Sequence, residues 1–173
     1  MTAMYASSYP NNVKSIVLMS PMSISKKSNA KLVTKSTDLS SYKNELNDFI
    51  AKGGRESNPA EFSRLFWKNM LAPSIHDLNK LNSFVERIPN IDNESPRNVR
   101  SNVGTIFKKL GDWDFTDIAS KIQCRTLIIF GTSDTIPVEN SLEWTSSIPK
   151  SRYLEFTESG HLLFAEETSK WTS

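Results

Sequence analysis

Leu127-Ile-Ile-Phe-Gly131-Thr-Ser-Asp134-Thr-Ile-Pro137 reads as a buried apolar strand that runs into a glycine turn, and the turn presents an aspartate. Downstream, Arg152-Tyr-Leu-Glu-Phe156 reads as a second short strand, followed by Ser159-Gly160-His161. His161 lies 27 residues beyond Asp134, which leaves room for one helix and one strand between them. Each residue is therefore expected at the C-terminal end of a strand. Open α/β sheets carry their active sites at that edge. A carboxylate beside an imidazole can fix the ring's tautomer and stabilise its protonated form, so the ring can act as a base.

Outward from this pair, the rest of the chain sorts into two kinds of segment. Residues Thr2 to Tyr9 suit a short helix, which Pro10-Asn11-Asn12 ends. Val13-Lys-Ser-Ile-Val-Leu-Met19 reads as a strand covered on both faces, as in a parallel sheet, and Ser20-Pro21 closes it. Asp117 to Lys121 and Glu139 to Ser147 fit helices around the strand Arg125 to Gly131, and Leu162 to Trp171 fits a last one.

Between Ser23 and Gly111 the pattern is helical throughout. Tyr42, Leu46, Phe49 and Ile50 share one helical face, and Gly53-Gly54 stops that helix. Asn58-Pro59 with Glu61 is an N-cap, a first-turn proline and a first-turn acid, ahead of a stripe of Phe62, Leu65, Phe66 and Met70. Ile75, Leu78, Leu81 and Val85 suggest a third helix. Val99, Val103, Ile106, Phe107 and Leu110 make a fourth, closed by Gly111. A block of roughly ninety residues is too long for an ordinary connection in a compact sheet. The expected organisation is an α/β core from residues 1–22 and 112–173, with a helical cap over 23–111.

Composition narrows the function. The 173 residues are 38% hydrophobic and 23% charged, the balance of a globular chain. Net charge is +2, with Lys and Arg scattered among Asp and Glu, so no nucleic-acid partner is expected. One cysteine, Cys124, excludes an internal disulfide and a cysteine-rich zinc site. Two histidines without H-x-x-x-H spacing give no metal centre, and nothing suggests a cofactor. No apolar run approaches the ~20 residues of a membrane span, so no membrane partner is expected.

Several residues resemble the α/β-hydrolase superfamily, most closely its capped, proline-iminopeptidase-like members. Ala3-Met-Tyr-Ala6, Tyr9-Pro10 and Val13-Lys-Ser-Ile-Val-Leu18 are similar to the helix and strand that follow the family's G-x-S-x-G-G nucleophile elbow. The resemblance covers Tyr5 through Met22 and Asp114 through Glu167, and it implies three parallel strands with flanking helices plus an all-helical cap. It also implies that Asp134 is the acid and His161 the base of a Ser-His-Asp triad. Gly131 would allow the sharp turn after the strand, and Pro137 would stiffen the loop. Arg125 departs from the proline common before this strand.

The chain holds no G-x-S-x-G, and Met1 falls just past the family's elbow glycines. A truncated chain is therefore expected, one without the nucleophile and both oxyanion donors. Ser133 sits directly before the acid and is no substitute. The implied function is that of the C-terminal part of a serine hydrolase acting on ester, amide or short peptide substrates, inactive alone. The alternative is a non-catalytic remnant that binds or dimerises, with self-association through an exposed Val13–Met19 edge. A cytoplasmic location is expected, any signal peptide lying in the absent N-terminal portion.

Other candidates read more simply. Phe66 and Trp67 could line a pocket, but core packing suits them better. Glu45 and Glu61 could bind a substrate amine, but a solvated helix face accounts for both. His76 reads as a solvated helix-start residue, and Cys124 as a small buried apolar one.

Overall fold

Two β-branched and apolar runs and one mixed segment, Ser151-Arg-Tyr-Leu-Glu-Phe156, form three strands in the computed structural model, which describes residues 1–28, 37–88 and 95–172, with 95–101 and 172 described by backbone alone. The strands are β1 (Ser15–Met19), β2 (Arg125–Gly131) and β3 (Ser151–Phe156). They form one parallel sheet in the order β1-β2-β3. Val17 pairs with Leu127, and Leu127 with Arg152; one row along, Ile129 sits between Met19 and Leu154.

The helices, in chain order, are α1 (Thr2–Ser8), α2 (Ser40–Ala51), α3 (Gly54–Ser57), α4 (Pro59–Leu71), α5 (Leu81–Glu86), α6 (Ser95–Leu110), α7 (Thr116–Ser120), α8 (Val138–Ser147), α9 (Leu163–Glu166) and α10 (Thr168–Thr172). The single helix expected from Leu162 to Trp171 is two short ones. Glu167 interrupts it with φ −114° and ψ 58°.

The chain divides into two compact units, Met1–Val33 with Asp112–Ser173, and Thr34–Gly111. In the first, one sheet face buries Ile16 and Ile128 against Ala3, Ala6, Ala119, Trp144 and Ile148 of the helical layer. Each fully buried isoleucine contributes about 1.5–3 kcal/mol relative to exposure. The opposite face holds a smaller cluster of Ile129, Phe156 and Leu163, with Leu127 at its margin. Val17, Met19 and Leu154 on that face are exposed. Among the described residues, the outer side of β1 carries no strand.

Ser23 to Ser28 were expected in the helical block, but the division falls later. Ser25 bridges Asp114 in antiparallel fashion, and backbone bonds of 2.9 Å join Lys26 to Trp113 and Phe115 to Ile24. The Trp113 indole also donates to the Ser23 carbonyl at 3.3 Å. These bonds satisfy backbone groups that burial would otherwise leave costly.

In the second unit, Leu46 of α2 packs with Phe62, Leu65 and Phe66 of α4. The Asn58 side chain accepts the Glu61 amide at 3.2 Å, with Pro59 at the first helical position, as the sequence pattern predicts. Ile75, Leu81, Phe84 and Val85 are also buried. Other stripe positions are not: Ile50, Met70, Val103, Ile106 and Phe107 are exposed. Val99 lies outside the described side chains.

Candidate active site

β2 ends at Gly131, and the next residues turn tightly, with the Asp134 amide donating to the Gly131 carbonyl at 3.0 Å. This turn is stitched to the segment after β3. The Thr132 amide donates to Phe156 at 2.9 Å, the Ser133 amide to Ser159 at 3.0 Å, and the Thr132 hydroxyl to Thr157 at 2.8 Å. The loop that carries Asp134 and the loop that carries His161 are thereby fixed to each other at the C-terminal ends of adjacent strands.

Gly131 is needed for space. Its φ is not in the left-handed region, unlike Gly53 and Gly111. A Cβ there would lie 2.2 Å from the Gly160 carbonyl oxygen and 2.6 Å from that of Ser159. The chain does turn sharply after Gly131, and what this position requires of glycine is close packing of two backbones rather than a left-handed φ.

His161 Nδ1 lies 2.8 Å from Asp134 Oδ2. The Asp134 side chain is 0% exposed and the imidazole 45% exposed, so the pair has a buried anchor and an open outer ring. The other carboxylate oxygen, Oδ1, accepts the Ile136 amide at 3.0 Å. Burial works against the Asp134 charge, but bonds from His161 and Ile136 outweigh it and hold the carboxyl below its ordinary range. The Asp134 contact raises the His161 pKa above its ordinary value, against opposition from burial. Among the described residues, Nε2 of His161 has no hydrogen-bond partner.

Sequence reasoning missed two parts of this site. Ser20, at the end of β1, is buried and has φ 41°, the left-handed region that side chains seldom adopt. Its hydroxyl faces the Asp134 carboxylate and favours the charge, without the geometry of a complete hydrogen bond. The second part is Glu166 with Glu167, which bond the segment before His161. An acidic pair one turn beyond the histidine was their only signal in the sequence.

The remaining candidates lie elsewhere. Phe66 is buried in the α4 core, with the Trp67 ring edge-on at 5.4 Å. Glu61 pairs with Arg64, and Glu45 and His76 are exposed. Glu61, Arg64 and Trp67 line a cavity of about 400 Å³ within the second unit. Cys124 is buried in the sheet core. Among the described residues, no group of His, Cys, Asp or Glu could hold a metal ion, and no helix is long and apolar enough to cross a membrane.

Comparison with known proteins bears on the fold. The family model described as alpha/beta hydrolase fold matches residues 1–168. No curated protein matches the chain. Among solved structures, an alpha/beta fold family hydrolase from Bacillus anthracis is similar at 23% identity and TM-score 0.61, over 98% of this chain and 61% of that one. An enol-lactonase from Burkholderia xenovorans is similar at 15% identity and TM-score 0.60, over 98% and 57%. An esterase from Exiguobacterium antarcticum is similar at 21% identity and TM-score 0.58, over 98% and 60%. This chain spans about three-fifths of the length of these structures.

Proposed function

The chain belongs to the alpha/beta-hydrolase fold family, and from that premise we propose that it is the acid-and-base portion of a serine hydrolase acting on ester, amide or short peptide bonds. The observation that carries the reading is the 2.8 Å Asp134–His161 bond at the C-terminal ends of β2 and β3. Asp134 accepts the Nδ1 proton and holds the ring in that tautomer. Nε2 then faces outward, able to take the proton of a nucleophilic serine and later return it to the leaving group. Asp134 stabilises the imidazolium formed between those two steps.

The sequence carries no G-x-S-x-G. We infer that the serine and the oxyanion donors come from outside residues 1–173, and that the chain alone is inactive. The helical unit then acts as a cap, and the proline-iminopeptidase-like motifs keep amides and short peptides in the substrate class. The location is cytoplasmic in this reading.

The test is hydrolysis of p-nitrophenyl esters and aminoacyl anilides by the purified chain, alone and with a family segment that carries the elbow. Background rates alone, and rates in the mixture that His161→Ala abolishes, are expected. Hydrolysis by the chain alone that vanishes on replacing one of its own serines would overturn the inference about the nucleophile. Activity in the mixture that survives His161→Ala would overturn the role of the base.

One observation favours a second reading, a non-catalytic binding or dimerisation module. Among the described residues the outer edge of β1 carries no strand, and Val17 and Met19 are exposed, the kind of edge that pairs with another chain. The coding DNA ahead of Met1 separates the two. A G-x-S-x-G-G there supports the hydrolase, and its absence supports the module.

A further inference from the structure

We propose that Glu166 and Glu167 are positioning residues that clamp the backbone before His161 and so hold the imidazole on Asp134. The proposal rests on the acid–base reading above. Glu166 is 7% exposed, and its Oε2 accepts the Gly160 amide at 2.7 Å. Glu167 Oε2 accepts the Ser159 hydroxyl at 2.6 Å and the Glu158 amide at 3.1 Å. Two consecutive carboxylates thus take donors from all three residues ahead of the histidine. Hydrogen bonds to an ionised acceptor are stronger than neutral ones, which suits a part that must not drift.

The opposite side of the same tripeptide is held by the acid's loop. The Ser159 carbonyl accepts the Ser133 amide at 3.0 Å. The Gly160 carbonyl packs on Gly131, leaving no room for a Cβ. The tripeptide is therefore gripped by its donors from one side and its acceptors from the other. His161 follows directly, so its ring position relative to Asp134 is set by this grip.

The helix break at Glu167 belongs to the same device. Side chains of adjacent residues in a continuous helix diverge by about 100°. Glu166 and Glu167 could not converge on one tripeptide from such a helix, and the non-helical backbone at Glu167 lets them do so. Lys170 secures the second carboxylate, with Nζ 3.7 Å from Glu167 Oε1 and 2.6 Å from the Glu155 carbonyl. A buried carboxylate is costly unless hydrogen-bonded, so Glu166 is not a residue kept for solvation.

The experiment is an NMR titration of His161 in the intact chain, with hydrogen exchange read at the Gly160 amide. Glu166→Ala is compared with Glu166→Gln, which keeps an acceptor oxygen. Glu167→Ala, at a less buried position, gives the same comparison should Glu166→Ala fail to fold. In either alanine variant the His161 midpoint is expected to fall by about half a pH unit or more, a roughly threefold drop in the imidazolium-to-imidazole ratio. Glu166→Ala also speeds Gly160 exchange, and Glu166→Gln restores most of both signals. A folded alanine variant with an unchanged His161 midpoint would overturn the clamp, as would failure of Glu166→Gln to rescue a shifted Glu166→Ala. Asp134→Asn in the same titration isolates the underlying reading. If that substitution leaves His161 unmoved, the acid–base pairing itself has failed, whatever the glutamates do.

Discussion

Replacing Gly131 with alanine tests whether the two loops are held at one spacing. The added Cβ would meet the Gly160 oxygen at 2.2 Å and the Ser159 oxygen at 2.6 Å. Both are backbone atoms, so no side chain can swing away. Restoring an ordinary contact requires a displacement of about 1 Å, of the size that costs 1–3 kcal/mol in a packed interior. The same displacement pulls the Ser159 carbonyl from the Ser133 amide and Gly160 from Glu166, at about 1 kcal/mol for each bond. Together the loss is about 3 kcal/mol or more, a large share of the 5–15 kcal/mol that holds a typical domain. Urea unfolding measures it, with His161 titration in the folded baseline to show whether the 2.8 Å contact survives. Gly104 of α6, where a Cβ meets nothing within 4 Å, is the control; Gly104→Ala should stabilise its helix by about 0.5–1 kcal/mol. A Gly131→Ala variant within 1 kcal/mol of the parent, with the His161 midpoint unchanged, would refute the close-approach argument.

Two further predictions follow from the same site. Ser20→Gly relieves about 1–2 kcal/mol of left-handed strain, less about 0.5–1 kcal/mol of added chain freedom, so urea midpoints should rise; a fall would show that the hydroxyl contributes more than the strain costs. The His161 contribution to stability is complete below its ordinary value of 6.5 and is lost as pH rises through the raised folded value. The Asp134 contribution is complete above its ordinary 3.8 and is lost as pH falls through the lowered folded value. Asp134→Asn should therefore flatten the pH dependence of unfolding across both windows, and should carry His161 below 6.5, because burial then acts on the ring unopposed. An unchanged pH profile would count against the pairing.

Much of this architecture is legible in the chain because it rests on simple periodicities. Apolar runs bounded by turn residues mark β1 and β2, and the Asn58-Pro59 cap marks the start of α4. The Asp134–His161 spacing points to one sheet edge, and the fold brings the two into contact. What was illegible depends on contacts distant in sequence. Glu166 and Glu167 look like a helix face until the segment before His161 is placed against them. Ser20 looks like an ordinary strand end, and neither its residue type nor its neighbours signal its left-handed backbone or its place beside Asp134. Gly131 looks like a turn former, and only the Ser159-Gly160 segment after β3 reveals that space is the constraint.

The most direct test of the central claim is the tautomer of neutral His161, read from ¹⁵N shifts of the imidazole in the intact chain above its titration midpoint. With Asp134 accepting from Nδ1, the proton should reside on Nδ1, leaving Nε2 unprotonated and facing outward as a base. The midpoint should lie above 6.5. A ring protonated on Nε2, or one titrating at or below the ordinary value in the wild-type chain, would contradict the assignment of Asp134 and His161 as acid and base.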